Sequence, residues 1–224
     1  MEVRSGIKTA SGYLALPRSG KGVGVLVLHA WWGLNGFFET LCDRLAQQGF
    51  VAFAPDLYAG AVTSSIEEAE QLVSKVDLET TQTRALQALN TLRSHPAVQG
   101  ERVGVVGCSF GAAWALLLST LRPNEVAAVV TFYGLYAVDF TTSRAAYLGH
   151  FAEHDDWEPL DQARQMEADI RAAGREVHFY VYPGIGHWFF EEDRPDAYHA
   201  ESARLAWERT LSFLRSYLYP KVVI

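Results

Sequence analysis

Cysteine, positive charge and long apolar runs are all scarce in this chain. Its 224 residues include two cysteines, Cys42 and Cys108, which are too few for a disulfide framework. Met1, Glu2, Val3 and Arg4 lead into polar residues, and the segment lacks the features of a secretion signal. These absences favour a protein of the reducing cytoplasm.

Basic residues are outnumbered and dispersed. The chain has 19 lysines and arginines against 26 aspartates and glutamates, a formal net charge of −7. No basic cluster is present, which argues against nucleic acid as a partner. The apolar runs are too short to cross a membrane. The chain is 49% apolar, which is enough for a substantial core. We therefore predict one domain over 1–224. We expect the protein to act on a small molecule as a monomer or small homo-oligomer.

Motifs for cofactors and metals are also missing. Neither a dinucleotide-binding G-x-G-x-x-G nor a phosphate-binding P-loop occurs. The segment from His150 to His154 matches the zinc pattern H-x-x-E-H, but that pattern binds zinc only on a helix. Here it follows an apolar run typical of a strand, so we predict no metal and no cofactor.

Apolar runs alternate with helical patterns along the whole chain. We predict a β-ribbon within 1–20, buried strands at 23–28, 50–54, 103–108, 126–132, 145–151 and 176–182, and helices at 35–48, 60–95, 112–121, 159–173 and 195–217. Such alternation is typical of the α/β class, with a mostly parallel twisted sheet covered by helices on both faces. The segments between strands leave no room for a large cap domain.

The segment Gly107-Cys108-Ser109-Phe110-Gly111 follows a predicted strand and precedes a predicted helix. This is the context of the G-x-S-x-G elbow, a tight turn that presents a nucleophile above the sheet. Only Ser109 has glycine two residues before and two residues after it. We therefore predict Ser109 as the nucleophile and Cys108 as a buried packing residue, with a register centred on Cys108 as the alternative.

A serine nucleophile needs a base and an acid that orients the base. In α/β-hydrolases these follow the serine in the order acid, then histidine. Asp155 and His187 come in this order, each after a predicted strand. Asp156 is the competing acid, with Asp139 and Asp193 as more distant choices. The other histidines are predicted to be structural or solvated: His29, His95, His150, His154, His178 and His199.

The oxyanion of an acyl-transfer intermediate needs two backbone donors. We predict the N–H of Phe110, after the nucleophile, and the N–H of Trp31, in the loop after the first buried strand. Aromatic residues near strand ends are predicted to line the substrate pocket, although any one of them could be ordinary core. They are Trp32, Tyr58, Tyr133, Trp157 and Trp188.

Together these features predict a serine hydrolase that cleaves esters or lactones through an acyl-enzyme. An acyltransferase or thioesterase would use the same residues, because only the molecule that accepts the acyl group differs. A protein with this fold that binds a ligand without catalysis is the remaining alternative.

Over nearly its whole length the chain resembles the dienelactone hydrolase family. The resemblance is carried, in the family's order and spacing, by the segments GVLVLHAWWGLN, GFVAFAPDLYAG, RVGVVGCSFGA, FAEHDDWEP and VYPGIGHWFF. It implies the α/β-hydrolase fold and an ester or lactone hydrolase. It also implies Ser109, Asp155 and His187 as the triad and Trp31 and Phe110 as the oxyanion donors.

The chain departs from the family pattern at three places. The named members have cysteine where Ser109 stands, and a glutamate where Ala30 stands. They also use arginines to hold a substrate carboxylate. One matching position is Glu191, four residues after His187, and the other falls in a stretch without lysine or arginine, between Arg44 and Lys75. These departures predict a small, largely apolar substrate without strong negative charge, and leave Arg194 as the one candidate to bind a carboxylate.

Overall fold

The computed structural model describes residues 6–9 and 11–219, which form one eight-stranded sheet and six α-helices. The strands are β1 (Gly6–Thr9), β2 (Gly12–Ala15), β3 (Gly22–Leu28), β4 (Val51–Pro55), β5 (Val98–Cys108), β6 (Val126–Phe132), β7 (Ala146–Ala152) and β8 (Val177–Tyr182). The helices are α1 (Gly36–Gln47), α2 (Ile66–Ser74), α3 (Leu78–Ser94), α4 (Phe110–Leu121), α5 (Leu160–Ala172) and α6 (Ala200–Leu218). A short 3₁₀ helix covers Phe140–Thr142.

The sheet has the strand order β1-β2-β4-β3-β5-β6-β7-β8. Strands β3 to β8 run parallel, whereas β1 and β2 form an antiparallel ribbon that joins the sheet beside β4. Because the interior strands are buried on both faces, they consist of nearly continuous apolar residues. The predicted fold class, a mostly parallel sheet covered on both faces, is confirmed.

Two hydrophobic clusters lie on opposite faces of this sheet. Helices α1 and α6 pack their apolar side chains into one cluster, and α3, α4 and α5 pack theirs into the other. Within the described residues, the segments between strands hold these covering helices and no separate cap domain. No helix in this part of the chain has the length and hydropathy needed to cross a membrane.

The predicted elements agree with the structure at most positions, and β6 has the predicted bounds. The predicted ribbon is present in β1 and β2. Residues 1–5 and 10 lie outside the described residues, and they include the segment that was considered for a secretion signal. The helical region at 60–95 is divided into α2 and α3. A new N-cap causes this division, because Asp77 accepts the N–H of Thr80 at 2.7 Å.

The start predicted for the last helix was wrong. Helix α6 begins at Ala200 rather than near Pro195. The preceding residues form successive turns, in which the N–H of Arg194 bonds to the carbonyl of Glu191 at 3.0 Å. His199 then caps the helix, because its ring nitrogen accepts the N–H of Ser202 at 3.3 Å.

The elbow between β5 and α4 requires close approach of backbone segments. A Cβ on Gly111 would overlap the carbonyl oxygens of Leu28 and His29, and a Cβ on Gly107 would overlap the backbone of Gly111. Glycine at these positions therefore lets α4 begin directly against the end of β3. This contact places the loop after β3 beside the residue at the turn, Ser109.

We expect Gly111→Ala to destabilise the protein by about 3 kcal/mol, because the rigid backbone carbonyls at Leu28 and His29 cannot move aside. The measurement is urea unfolding. Gly174→Ala is the control, since Gly174 has a φ of +74° but open space around its Cβ position, and it should lose only about 1 kcal/mol through backbone strain. Equal losses in the two variants would contradict the steric argument.

Candidate active site

Ser109 occupies the turn between β5 and α4 with a strained backbone. Its φ of 49° and ψ of −115° lie outside the regions that non-glycine residues usually adopt. Its N–H donates to the carbonyl of Phe132 at 2.9 Å, which fixes the turn to the end of β6. Strain of this kind persists where the surrounding structure holds it, and it is concentrated at functional sites.

His187 follows β8 in the loop predicted to carry the base. Its Nε2 lies 3.0 Å from Ser109 Oγ. Its Nδ1 lies 2.7 Å from one carboxylate oxygen of Asp155 and 2.9 Å from the other. The three side chains therefore form one hydrogen-bonded chain from three strand ends.

Asp155 follows β7 and is held by the loop that it begins. Its carboxylate accepts the backbone N–H groups of Trp157 at 2.9 Å and Glu158 at 3.0 Å. Only 2% of its side chain is exposed, so solvent does not compete strongly for the bond to His187. Asp156, the competing candidate, is exposed, and within the described part of the chain it is Asp155 that bonds to His187 Nδ1.

The two more distant acid candidates serve local structure. Asp139 caps the 3₁₀ helix by accepting the N–H of Thr141 at 3.0 Å. Asp193 accepts a hydrogen bond from the side chain of Asn35 at 2.8 Å. Neither carboxylate bonds to His187.

The predicted oxyanion donors lie on either side of the elbow contact. Phe110 is the first residue of α4, and the first N–H groups of a helix have no partner within the helix. Trp31 lies in the loop after β3, three residues beyond Leu28, whose carbonyl packs against Gly111. This loop and the helix N-terminus thus bring two backbone segments to the same side of the sheet.

The predicted pocket aromatics divide into an outer and a buried group. Trp157 is 44% exposed, and its ring lies 4.8 Å from the ring of the half-buried Trp31. Trp188 lies beneath them and is 5.8 Å from Trp31. Trp32 and Tyr133 have no exposed surface, so the expectation that they line an open pocket was wrong. Their rings form part of the core because the chain turns inward after β3 and β6.

Tyr58 packs beside the elbow rather than beside the tryptophans. Its ring lies 5.4 Å from Phe110 and 5.0 Å from the imidazole of His29. His29 is fully buried, and its Nε2 accepts the N–H of Leu57 at 3.1 Å. Burial lowers the pKa of His29 to about 4, so it remains neutral and links two loops at the strand ends.

The segment that matched the zinc pattern lies on a strand and a loop. His150 is buried in β7, where its two ring nitrogens bond to the hydroxyls of Tyr182 at 2.9 Å and Thr210 at 3.0 Å. Glu153 accepts the N–H of Gly184, and His154 is exposed beside it. Among the described residues, no group of three or more potential ligands could hold a metal ion.

Sequence reasoning missed a buried carboxyl behind the site. Glu191 is completely buried and accepts the hydroxyl of Tyr133 at 2.8 Å. Burial raises its pKa to about 8, opposed by the bond from Tyr133 and reinforced by Asp193. The available signal was that a glutamate stood where the family has arginine, but the sequence did not reveal its tyrosine partner.

A second missed carboxyl lies beside Asp155. Burial raises the pKa of Glu158 to about 7, and the charge of Asp155 adds to the rise while a backbone hydrogen bond at Leu135 opposes it. Near neutral pH this carboxyl is therefore partly protonated. It places a second titrating group next to the acid that holds His187.

A cavity of about 470 Å³ opens next to His187. Trp157 and Trp188 contribute aromatic surface to it, and Asp156 and Asp196 contribute carboxylates. Lysine and arginine are absent from its lining. The cavity is therefore suited to neutral or positively charged groups rather than to anions.

The strand order and the elbow between β5 and α4 define an α/β-hydrolase fold. Residues 10–218 match the dienelactone hydrolase family. The chain therefore belongs to the dienelactone hydrolase family, as its sequence resemblance predicted.

Individual relatives match the chain over nearly its whole length. "Protein usf" of Aquifex pyrophilus is 31% identical, and the match covers 96% of each chain. A protein of Aquifex aeolicus named "Putative carboxymethylenebutenolidase" is 30% identical over 96% of each chain. Among solved structures, the "Putative Dienelactone Hydrolase" of Klebsiella pneumoniae is 28% identical and superimposes with a TM-score of 0.82, covering 92% of each chain.

We expect Glu191 to contribute a decrease in the free energy of unfolding as the pH rises from about 5 to 8. The unfolded carboxyl ionises near its ordinary pKa of 4.5, whereas the native carboxyl stays protonated to about pH 8. The native state then binds more protons, so its stability decreases with pH. Urea unfolding of Glu191→Gln should lack this contribution, so that between pH 5 and 8 its free energy of unfolding falls less, or rises more, than that of the unchanged protein.

Glu70→Gln is the control for that measurement. It makes the same substitution at an exposed position on α2, and should retain the pH dependence of the unchanged protein. The same pH dependence in Glu191→Gln and the unchanged protein would contradict a raised native pKa. The groups that act on Glu191 are Tyr133, Asp193, Arg194 and Trp32, and its charge also acts on Cys108.

Proposed function

We propose that this protein hydrolyses carboxylic esters or lactones through an acyl-enzyme on Ser109, with His187 as general base and Asp155 as the acid that orients it. The observation that carries the proposal is the continuous hydrogen-bonded chain, 3.0 Å from Ser109 Oγ to His187 Nε2 and 2.7 Å from His187 Nδ1 to Asp155. A nucleophile, a base and its orienting partner at these distances are what acyl transfer requires. The family membership and the name of the Aquifex aeolicus relative support the same class of reaction.

In the acylation half, Ser109 Oγ attacks the carbonyl carbon of the substrate while its proton passes to His187 Nε2. The carbonyl oxygen becomes an oxyanion, which the N–H groups of Phe110 and Trp31 would bind. Collapse of the tetrahedral intermediate breaks the bond to the leaving oxygen, which takes the proton from Nε2. With a lactone, that oxygen stays attached to the acyl group as a hydroxyl.

In the deacylation half, water takes the place of the serine. His187 Nε2 removes a proton from the water as it attacks the acyl carbon, and the second intermediate collapses to release the acid. Ser109 Oγ recovers its proton from Nε2. The carboxylate of Asp155 stays ionised throughout and stabilises the imidazolium that forms in each half.

The charges around His187 favour a substrate without a free carboxylate. Asp156 and Asp196 are the charged carboxylates of the neighbouring cavity, and they would repel an anion. Arg194, the candidate carboxylate clamp, is engaged elsewhere. Its guanidinium donates to the carbonyl of Ser64 at 2.8 Å and lies 3.7 Å from the ring centroid of Trp32. Arg194 is also only 8% exposed, so a substrate carboxylate would have little access to it.

The first test is the nucleophile. Ser109→Ala should abolish turnover of p-nitrophenyl acetate and labelling by a fluorophosphonate probe, because the alanine methyl group cannot form the acyl-enzyme. Cys108→Ala is the matched control, since the thiol is the neighbouring residue and is completely buried. It should retain both activities. Turnover that survives in Ser109→Ala and disappears in Cys108→Ala would move the nucleophile to Cys108.

The second test is the charge of the substrate. We expect kcat/KM for p-nitrophenyl butyrate to exceed that for p-nitrophenyl hemisuccinate by about tenfold or more, because the hemisuccinate carboxylate would lose its hydration without gaining a partner. The two esters are similar in size and share a leaving group, so the ratio isolates the charge. A preference for the hemisuccinate that is lost in Arg194→Gln would contradict the proposal and assign Arg194 as a carboxylate clamp.

A further inference from the structure

The two hydrogen bonds of His187 do not by themselves fix its ring. Hydrogen bonds at Nδ1 and Nε2 limit the rotation of an imidazole within its own plane. Tilt of the plane about the line that joins the two nitrogens would still be possible. Ring packing is what limits this tilt, and the neighbours that supply it are Tyr133, at a centroid distance of 4.7 Å, and Trp188, at 4.9 Å.

Tyr133 is itself held in an unusual backbone conformation. It follows β6 with a φ of 37°, which is a rare value for an aromatic residue. Its N–H donates to the carbonyl of His150 at 2.7 Å, and its ring also packs against Phe189 at 5.5 Å. The side chain is completely buried. Its ring therefore meets His187 from inside the protein.

The hydroxyl of Tyr133 donates a hydrogen bond to the carboxyl of Glu191. The Oη–Oε1 distance is 2.8 Å, and both side chains are inaccessible to solvent. Glu191 lies in a turn, in which its own N–H bonds to the carbonyl of Trp188 at 2.9 Å. Its carboxyl is therefore held in a fixed position by the same chain segment that carries His187.

We propose that Tyr133 is a positioning residue for His187 and that Glu191 acts through Tyr133. The hydrogen bond between the tyrosine hydroxyl and the carboxyl of Glu191 holds the phenol ring at a fixed angle. The ring in turn holds the imidazole so that Nε2 is directed to Ser109 Oγ. This inference rests on the proposed function of Ser109 and His187. Neither Tyr133 nor Glu191 transfers a proton in it. Their effect is on the orientation of the base, to which reaction rates are sensitive.

The experiment compares three variants of this pair with one control by steady-state kinetics on p-nitrophenyl acetate. Tyr133→Phe keeps the ring and removes the hydroxyl, Glu191→Leu removes the acceptor, and Glu191→Gln keeps an oxygen acceptor. Tyr147→Phe is the control, because Tyr147 is also a buried tyrosine, with its hydroxyl bonded to Ser119 at 2.8 Å. It lies near the start of β7, at the opposite end of the strand from Asp155.

We expect Tyr133→Phe and Glu191→Leu each to lower kcat by about tenfold while KM stays within about twofold, because orientation of the base and not substrate binding is affected. Glu191→Gln should retain kcat within about threefold, since its carbonyl can accept the same hydrogen bond. The double variant Tyr133→Phe/Glu191→Leu should lose no more than either single variant, as is expected when one residue acts only through the other. Tyr147→Phe should leave kcat unchanged.

Three outcomes would overturn this inference. They are a kcat for Tyr133→Phe equal to that of Tyr147→Phe, multiplicative losses in the double variant, and a loss in Glu191→Gln as large as in Glu191→Leu. Urea unfolding at the assay pH verifies that every variant compared is folded. Ser109→Ala separates the two proposals. If it retains activity, the proposed function fails, whereas an inactive Ser109→Ala with an unaffected Tyr133→Phe removes the positioning role alone.

Discussion

The contact between the first turn of α4 and the end of β3 sets the geometry of the face that is formed by the carboxyl ends of the strands. Gly111 lies against the carbonyls of Leu28 and His29, at a distance that no larger residue could accept. Since α4 starts there, Ser109 has to complete the reversal from strand to helix, and its φ becomes positive. The same contact fixes where the loop with Trp31 passes. One steric requirement thereby aligns the proposed nucleophile with both proposed oxyanion donors.

Backbone strain is concentrated around the same face. Among the described residues, four that are not glycine have positive φ, and three of them, Ser109, Tyr133 and Trp188, surround His187 or bond to it. Each lies directly after a strand or after the histidine loop, where the chain must leave its preceding direction at once. Hydrogen bonds compensate at two of these positions, since the N–H groups of Ser109 and Tyr133 bond to carbonyls of neighbouring strands. The rigid sheet holds conformations that isolated loops would relax.

The parts of the structure that the sequence predicted are those that depend on local pattern. Buried parallel strands are nearly continuous apolar runs, so β6 could be bounded from its residues alone, and the elbow was recognisable from its two glycines. The first residue of α6 could not be predicted, because His199 ends a series of turns that have no strong sequence signal. The hydrogen bond between Tyr133 and Glu191 also could not be predicted from the sequence. It joins residues 58 positions apart, and it depends on a backbone reversal after β6 that brings a tyrosine inward.

The thiol next to the proposed nucleophile has a consequence for oxidation chemistry. Cys108 is completely buried, and burial together with Glu191 raises its pKa well above the ordinary value. Peroxides, alkylating reagents and disulfides react with exposed thiolates. The raised pKa of Cys108 disfavours its thiolate form, and its burial keeps these reagents away from the sulfur. Cys42 is buried in the same way, with its pKa also raised. If Ser109 is the nucleophile, an enzyme with both of its thiols enclosed would keep working under oxidative stress that inactivates an enzyme with a thiol nucleophile.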